Sequence, residues 1–260
     1  MQHSPKNRLK GILLEDLTWL EAEKVLTPTT LVVIPLGAAA KEHGPHLKLK
    51  NDWVLAEYFK QRVLEAAEVV IAPTVAYHFY PAFLEYPGST SLRLETARDT
   101  ILDICRTLAR HGPRRFYVLN TGVSTIRALQ PAATTLAAEG ILLRYADLRK
   151  LAGSVVQRVA QQEGGTHADE IETSMMLYIA PNLVDMSKAV KDYHPGAGGL
   201  TRDPHGASAY SPTGIYGDAT LATRDKGEQV VEAIVVGVLL DIEDLRRSPC
   251  FTSPRREPDS

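Results

Sequence analysis

Short apolar runs alternate with amphipathic segments along this sequence, and this alternation restricts the possible fold more than any other feature. Strands are predicted at residues 31–36, 69–75, 116–119 and 141–145. Helices are predicted at residues 17–24, 52–67, 94–111, 125–139, 169–179 and 226–245, the first with Thr18 as its N-cap. Because strands joined by helices usually pair in parallel, we expect an α/β fold whose mostly parallel sheet carries helices on both faces.

The chain shows no change in composition that would mark a domain boundary. Its 260 residues, of which 44 % are hydrophobic, suffice for the core of one large domain or two small ones. We interpret residues 1–260 as a single domain with flexible tails at residues 1–10 and 247–260. Residues 188–217 are rich in Gly, Pro, Ser and Tyr and predict a long loop, which in a compact domain is usually functional or mobile.

The charge balance and the cysteines narrow the class of protein. The formal net charge is −2, from 29 basic and 31 acidic residues, so the basic excess typical of nucleic-acid binding is absent from the sequence. No apolar run is long enough to span a bilayer, and residues 1–6 do not resemble a signal peptide. Cys105 and Cys250 lie far apart, which argues against a disulfide framework. We expect a cytoplasmic protein that binds neither nucleic acid nor membrane.

A polar cluster follows the predicted strand at residues 31–36. Its members are Lys41, Glu42, His43, His46 and Asp52. Imidazole nitrogens and carboxylate oxygens of this kind bind Zn²⁺ and Mn²⁺. The carboxyl end of a strand is also where open α/β sheets bind their ligands. The sequence therefore predicts a metal site or catalytic site at this point.

Three further polar segments follow predicted strands or loops. They are residues 77–81 with 86–91, residues 120–125, and residues 167–173. In a parallel sheet all of them can meet the first cluster at one edge. His167, at the start of a predicted helix, can serve as an acid or base. Glu170 and Glu172 point in different directions on that helix, so only one is expected to face the site. Alternatively, both carboxylates only complement the helix dipole.

Four segments of the sequence, taken together, resemble the motifs of a known protein family. They are Pro35-Leu36-Gly37 through His43-Gly44-Pro45-His46-Leu47 to Asp52, Tyr86-Pro87-Gly88-Ser89-Thr90-Ser91-Leu92, His167-Ala168-Asp169-Glu170-Ile171-Glu172-Thr173, and Gly214-Ile215-Tyr216-Gly217-Asp218. In order and spacing they resemble the motifs of the creatininase (creatinine amidohydrolase) family. The similarity extends over roughly residues 15–245.

The resemblance implies a three-layer α/β/α sandwich and a homo-oligomer, which is a hexamer in creatininase itself. Family enzymes hold two divalent metal ions and hydrolyse amide C–N bonds, typically of cyclic amides or small formamides, through a metal-bound water. His43 matches a metal-ligand histidine, and Asp52 matches the aspartate that bridges the two metals. Glu170 or Glu172 matches an active-site carboxylate, and His167 matches a histidine proposed to shuttle protons.

Two departures from the family pattern fall on the ligands of one metal ion. Lys41 stands where the family has a metal-binding Glu, and Gly122 stands where it has the His of an Asn-Gly-His segment. A protonated lysine cannot ligate a metal, but it supplies a fixed positive charge. Our hypothesis is that Lys41 replaces one metal ion and neutralises Asp52. One divalent ion (Zn²⁺, Mn²⁺ or Fe²⁺) then remains, bound by His43, Asp52 and Glu172.

We predict a creatininase-family hydrolase that cleaves an amide C–N bond, cyclic amides included, in a small polar substrate. The predicted catalytic residues are His167, Lys41 and Glu170, and the predicted substrate-binding residues are His78, Tyr80 and Ser124. Two alternatives stay open. One is a catalytically inactive binding or assembly subunit, in which Lys41 and Asp52 form a structural ion pair. The other is a Lys41-dependent lyase or isomerase, since a desolvated lysine can act as nucleophile or base.

Overall fold

A five-stranded sheet organises the computed structural model, which describes residues 9–249. The strands are β1 (Ile12–Leu13), β2 (Leu31–Leu36), β3 (Val70–Ile71), β4 (Arg115–Asn120) and β5 (Leu142–Tyr145). Their order across the sheet is β1-β3-β2-β4-β5, and every neighbouring pair is parallel. Most of the tails predicted at residues 1–10 and 247–260 lie outside the described residues, as does Cys250.

Strand β2 lies at the centre of the sheet, and all six of its residues are buried. It pairs with β4 along its whole length, with Leu31 opposite Arg115 and Leu36 opposite Asn120. Its pairing with β3 is shorter and continues only as a bridge between Leu36 and Val75. A strand covered by helices on both faces is apolar at every position instead of alternating, which explains its uninterrupted apolar run.

Seven α-helices flank the sheet within the described residues. They are α1 (Trp19–Val25), α2 (Asn51–Ala66), α3 (Leu94–Ala109), α4 (Ile126–Ala138), α5 (Leu148–Val159), α6 (Glu170–Ile179) and α7 (Arg224–Arg247). Helices α2, α5, α6 and α7 pack on one face of the sheet, around Val33. Helices α3 and α4 pack on the other face, around Ile34 and the buried Cys105. The expected three-layer α/β/α sandwich is therefore confirmed.

Local signals set several element boundaries. Thr18 caps α1 as predicted, in a capping box with Glu21. The strand predicted at residues 69–75 is limited to Val70–Ile71 and the bridge at Val75, and Pro73 between them has no N–H to donate to the sheet. Among the described helices, none combines the length and apolar character needed to cross a membrane.

Helix α5 and strand β1 are missing from the sequence prediction. Helix α5 has the expected signals, because its apolar residues recur at helical spacing and Asp147 caps it by accepting a hydrogen bond from the Arg149 N–H. Strand β1 has only two residues, which is too short to show a period of two.

The segment predicted as a loop at residues 188–217 contains two small strand pairs. Strand β6 (Lys191–Asp192) pairs antiparallel with β9 (Gly217–Asp218), and β7 (Leu200–Thr201) pairs parallel with β8 (Ala209–Tyr210). Tyr216 also forms a bridge to His167, immediately before α6. The segment is thereby held against the carboxyl edge of the main sheet.

Candidate active site

The beginning of α2 lies very close to the end of β2, and Gly37 makes this approach possible. A Cβ atom at Gly37 would lie 2.2 Å from the backbone oxygen of Asp52, so no side chain fits there. Thr121, just after β4, donates hydrogen bonds from Oγ1 to the carbonyls of Leu36 and Asp52, each at 3.1 Å. These contacts fix Asp52 at the carboxyl edge of the sheet.

Asp52 is fully buried and its carboxylate contacts two basic side chains. The Lys41 Nζ lies 2.7 Å from Oδ2, and the His43 Nε2 lies 2.8 Å from Oδ1. Burial by itself would raise the pKa of Asp52. The Lys41 ammonium and the His43 imidazole outweigh burial and hold the pKa of Asp52 well below its usual range. Asp52 is therefore a carboxylate at any ordinary pH.

Two aromatic rings lie close to the Lys41 ammonium. Its Nζ lies 4.8 Å from the ring centroid of Phe83 and 5.7 Å from that of Tyr80. Both distances allow a cation–π attraction. A Cβ atom at Gly122 would lie 2.9 Å from Thr125 Cγ2 and 3.2 Å from Tyr80 Cε1. The space beside Gly122 is therefore filled by these two side chains.

His43 directs its Nε2 toward Asp52. Its Nδ1 lies 2.9 Å from the Lys41 carbonyl, which can only accept, so Nδ1 carries the hydrogen and donates it. In the neutral imidazole, Nε2 then presents a lone pair to the Asp52 Oδ1. Two acceptors at this distance need a cation between them, either a proton on the imidazole or a metal ion. A metal-ligand histidine commonly donates its other N–H to a backbone carbonyl in this way.

His167 shows the same arrangement on the opposite side of the cluster. Its Nε2 lies 2.9 Å from both the carbonyl oxygen and Oε2 of Glu42, and donates to them. Its Nδ1 then faces the Glu172 Oε2 at 3.5 Å. The same Glu172 oxygen accepts a hydrogen bond from the Ala168 N–H at 2.5 Å. Ala168 has a φ of 47°, a left-handed conformation that non-glycine residues seldom adopt outside functional sites.

His43, His167 and Glu172 form a group that could hold a metal ion. One ligand atom from each lies within 4.8 Å of the others. Two imidazoles and one carboxylate are the ligands of a common class of catalytic zinc site and of non-haem iron sites. In the structure, the third member of the group beside His43 and Glu172 is His167. The sequence prediction has Asp52 in that place. The Asp52 oxygens contact Lys41 and His43 instead.

Glu170 lies outside this group, although the sequence prediction included it among the catalytic residues. It is fully buried, and its carboxylate accepts hydrogen bonds from the N–H groups of Gln161 and Gln162 and pairs with Lys226. Only Glu172 faces the cluster, as the helix geometry requires. Burial raises the pKa of Glu172, against the opposing effect of His167 and Lys41.

Of the three predicted substrate-binding residues, the structure brings only Ser124 to the pocket beside the cluster. This pocket has a volume of about 260 Å³ and is lined by Lys41, Phe83, Ser124, Arg149, His167 and Glu172, among others. His78 and Tyr80 are buried and do not line it, although the Tyr80 ring lies 5.7 Å from the Lys41 Nζ. Burial lowers the pKa of His78 to about 4, so this imidazole is neutral. A substrate-binding role for these two residues stays a prediction.

The sequence prediction assigns no individual role to two residues of the site. Arg149 lies in α5, which was itself missing, and it lines the pocket. Glu42 orients His167 and accepts a hydrogen bond from the Gly44 N–H. Its position in the polar cluster beside His43 is the signal for it in the sequence.

This fold and cluster place the chain among the α/β enzymes whose sites lie at the carboxyl edge of a parallel sheet. The creatinine amidohydrolase family model matches residues 15–240, and the chain belongs to this creatininase family. The prediction of a creatininase-family hydrolase is confirmed.

Individual relatives agree with this assignment along most of the chain. Creatinine amidohydrolase of Pseudomonas putida is 30 % identical over 253 residues, which cover 88 % of this chain and 95 % of that protein. Mycofactocin precursor peptide peptidase of Mycolicibacterium smegmatis is 29 % identical, with coverage of 80 % and 82 %. A solved structure of manganese creatininase superimposes with a TM-score of 0.75 at 28 % identity, covering 92 % of this chain and 100 % of that one.

Proposed function

We propose that this protein hydrolyses an amide C–N bond of a small molecule with the help of one divalent cation. The ligands would be His43, His167 and Glu172, and Lys41 would supply the positive charge that a second cation provides in relatives with two ions. One observation carries the proposal. Each imidazole directs one nitrogen to a backbone carbonyl, so that in the neutral ring the His43 Nε2 and His167 Nδ1 lone pairs face carboxylates within one small cluster.

The donor set suits Zn²⁺, Mn²⁺ or Fe²⁺. A divalent cation held by such ligands polarises a carbonyl oxygen and lowers the pKa of a bound water toward about 7. Asp52, whose Oδ1 faces the same His43 nitrogen, adds negative charge beside the site. The net charge of the cluster is therefore favourable for a cation.

In this proposal, individual side chains of the site have different roles in the reaction. The Ala168 N–H fixes Oε2 of Glu172, which leaves Oε1 to orient the attacking water and to accept its proton. The Lys41 ammonium lines the pocket and stabilises negative charge on the carbonyl oxygen as the tetrahedral adduct forms. Phe83 packs over both Lys41 and His167 and limits the access of solvent to them.

The contacts of Lys41 support its role as a substitute for a cation. The ammonium is buried, paired with Asp52 at 2.7 Å and faced by two aromatic rings. The space beside Gly122 is filled, so the position where the family has a ligand histidine is closed here. The ion pair also argues against the Lys41-dependent lyase or isomerase, because an ammonium has no lone pair for attack on a carbonyl.

Metal content separates this proposal from the inactive alternative, in which Lys41 and Asp52 only stabilise the fold. We expect about one divalent ion per chain in dialysed protein, measured by elemental analysis after exposure to Zn²⁺ or Mn²⁺. The variant His167→Ala should lose the ion, whereas the variant His78→Leu should keep it. Binding of one ion together with hydrolysis of small amides supports the proposal. A protein that binds no ion and whose thermal stability is indifferent to chelator would contradict it.

The predicted homo-oligomer and cytoplasmic location stay predictions. The small-molecule substrate is part of the proposal, in keeping with the limited size of the pocket.

A further inference from the structure

A second pocket adjoins the candidate active site and is lined mainly by apolar side chains. Its volume is about 200 Å³, and its apolar lining includes Leu148, Val156, Ile171, Met175, Val230 and Ile234. Thr121, Arg149 and Glu172 line both pockets, so the two share a wall. The hydrolysis proposed above uses none of the apolar side chains. Together the two pockets form a site with one polar part and one apolar part.

Gly153 keeps the second pocket open. It lies in α5 and lines this pocket, and a Cβ atom there would meet no atom within 4 Å. Packing therefore does not require glycine at this position. Glycine inside a helix also destabilises the helix relative to alanine. Neither packing nor helix stability therefore favours glycine at position 153. A need to keep the adjoining space open for a ligand explains its presence.

Arg149 lies on the shared wall with its guanidinium available for a ligand. Its side chain is 59 % exposed, and its nearest carboxylate among residues 9–249 is Asp147, 3.5 Å from Nε. Lys41, the other cation that lines the polar pocket, is already paired with Asp52 at 2.7 Å. A guanidinium is a planar donor that binds carboxylates through two parallel hydrogen bonds. The site therefore presents a carboxylate-binding group between its polar and apolar parts.

We propose that Arg149 binds a carboxylate of the substrate while the apolar pocket receives an adjoining apolar side chain. The substrate class is then the N-acyl derivatives of apolar α-amino acids. In such a molecule the α-carbon carries the amide nitrogen, the carboxylate and the side chain. These three groups diverge from one atom, as the two pockets diverge from the wall that Arg149 and Glu172 share. This inference rests on the proposed function and names its substrate class.

The reaction that follows is a simple hydrolysis. The water oxygen bonds to the acyl carbon, the C–N bond breaks, and the amino acid nitrogen takes up a proton. The products are a carboxylic acid and the free amino acid. No oxidant, reductant or co-substrate other than water is needed.

Binding of inert probes tests the inference independently of hydrolysis. The probes are N-methanesulfonyl-L-leucine, its carboxamide, and N-methanesulfonylglycine, and the measurement is isothermal titration calorimetry on the full chain with zinc. We expect the leucine acid to bind about tenfold more tightly than either of the other two. In Arg149→Gln the advantage of the acid over the carboxamide should disappear. The control is Lys150→Gln, because Lys150 is the neighbouring exposed cation and lines neither pocket.

A second variant tests the apolar pocket. Gly153→Leu adds a side chain whose Cβ meets no atom within 4 Å, and its isobutyl group should occupy this pocket. The advantage of the leucine acid over the glycine acid should then disappear while the acid is still preferred to the carboxamide. Equal binding of all three probes to the unmodified protein, or the same loss in Lys150→Gln, would overturn the inference. If the probes bind as expected but zinc-loaded protein fails to hydrolyse N-acetyl-L-leucine, the proposed function fails and the binding site stands.

Discussion

The Nζ of Lys41 and the Oδ2 of Asp52 lie 2.7 Å apart in the interior of the site. Asp52 is completely buried and Lys41 is 5 % exposed, so water screens this pair very little. A buried carboxylate needs a positive partner, and here the chain itself provides one. In our proposal, this pair is the reason why the protein needs only one divalent cation.

The variant Lys41→Met should destabilise the fold strongly. It leaves the Asp52 carboxylate buried with only His43 as partner, and the loss of one member of a buried pair costs about 3–5 kcal/mol. The free energy of unfolding, measured by urea denaturation, should fall by that amount. The double variant Lys41→Met/Asp52→Asn should regain most of the loss, since the uncompensated charge is then gone. A loss below about 1 kcal/mol in the single variant would show that the pair is weak.

The variant Gly122→Ala should also be destabilised, by about 1–3 kcal/mol, because the new methyl group overpacks the site. Its Cβ would lie 2.9 Å from the Cγ2 of Thr125 and 3.2 Å from a ring carbon of Tyr80. Adding Thr125→Ser removes the closer contact but keeps the hydroxyl that donates to Asn120. We expect this double variant to be more stable than Gly122→Ala alone in thermal denaturation. If Gly122→Ala is as stable as the unmodified chain, the space beside it is not filled.

Glu170 and Glu172 should respond in opposite ways to conversion to glutamine. Glu170→Gln breaks the buried contact with Lys226 and should lower the free energy of unfolding while the zinc-induced rise in melting temperature persists. Glu172→Gln removes a proposed ligand and should abolish that rise. Thermal unfolding with and without zinc distinguishes the two. Loss of the zinc effect in Glu170→Gln with retention in Glu172→Gln would reverse our assignment of the carboxylates.

His78 should make the fold sensitive to mild acid. Burial lowers its pKa from 6.5 to about 4, so the unfolded chain binds a proton more readily than the folded one. The neutral form is favoured in the fold, and its contribution is complete above the unfolded pKa of 6.5 and is lost as pH falls toward 4. The loss amounts to up to about 3 kcal/mol, at 1.36 kcal/mol for each unit of pKa.

Urea denaturation at about pH 7 and about pH 4.5 measures this effect. The variant His78→Leu should lose less stability between the two pH values than the unmodified chain. His205→Gln serves as the control, because His205 is exposed in the segment between β7 and β8. An unchanged pH dependence in His78→Leu would place the acid sensitivity elsewhere.

The sequence predicts the parts of this protein that depend on local pattern. The apolar run of β2 gives a strand buried on both faces, and Thr18 gives the helix cap. The sequence also predicts the pairing of Lys41 with Asp52. Two ligands of one metal ion are replaced in this chain, so the buried Asp52 carboxylate needs another cation beside it, and the structure contains this ion pair.

The remaining parts depend on contacts between distant segments. The contact between Glu42 and His167 joins residues that are 125 positions apart, and no local pattern in the sequence predicts it. Burial of His78 and Tyr80 depends on how the segment after β3 packs. Arg149 and Gly153 lie in α5, which the sequence analysis does not predict. The apolar pocket that they line was therefore found only in the structure.

Anomalous diffraction from a zinc-soaked crystal tests the central claim most directly. Our account predicts one peak per chain, in contact with His43, His167 and Glu172, and an intact ion pair between Lys41 and Asp52. Two peaks, with the Lys41 side chain displaced from Asp52, would contradict the claim that the ammonium stands in for a cation. The absence of any peak at this edge of the sheet would contradict metal-assisted hydrolysis itself.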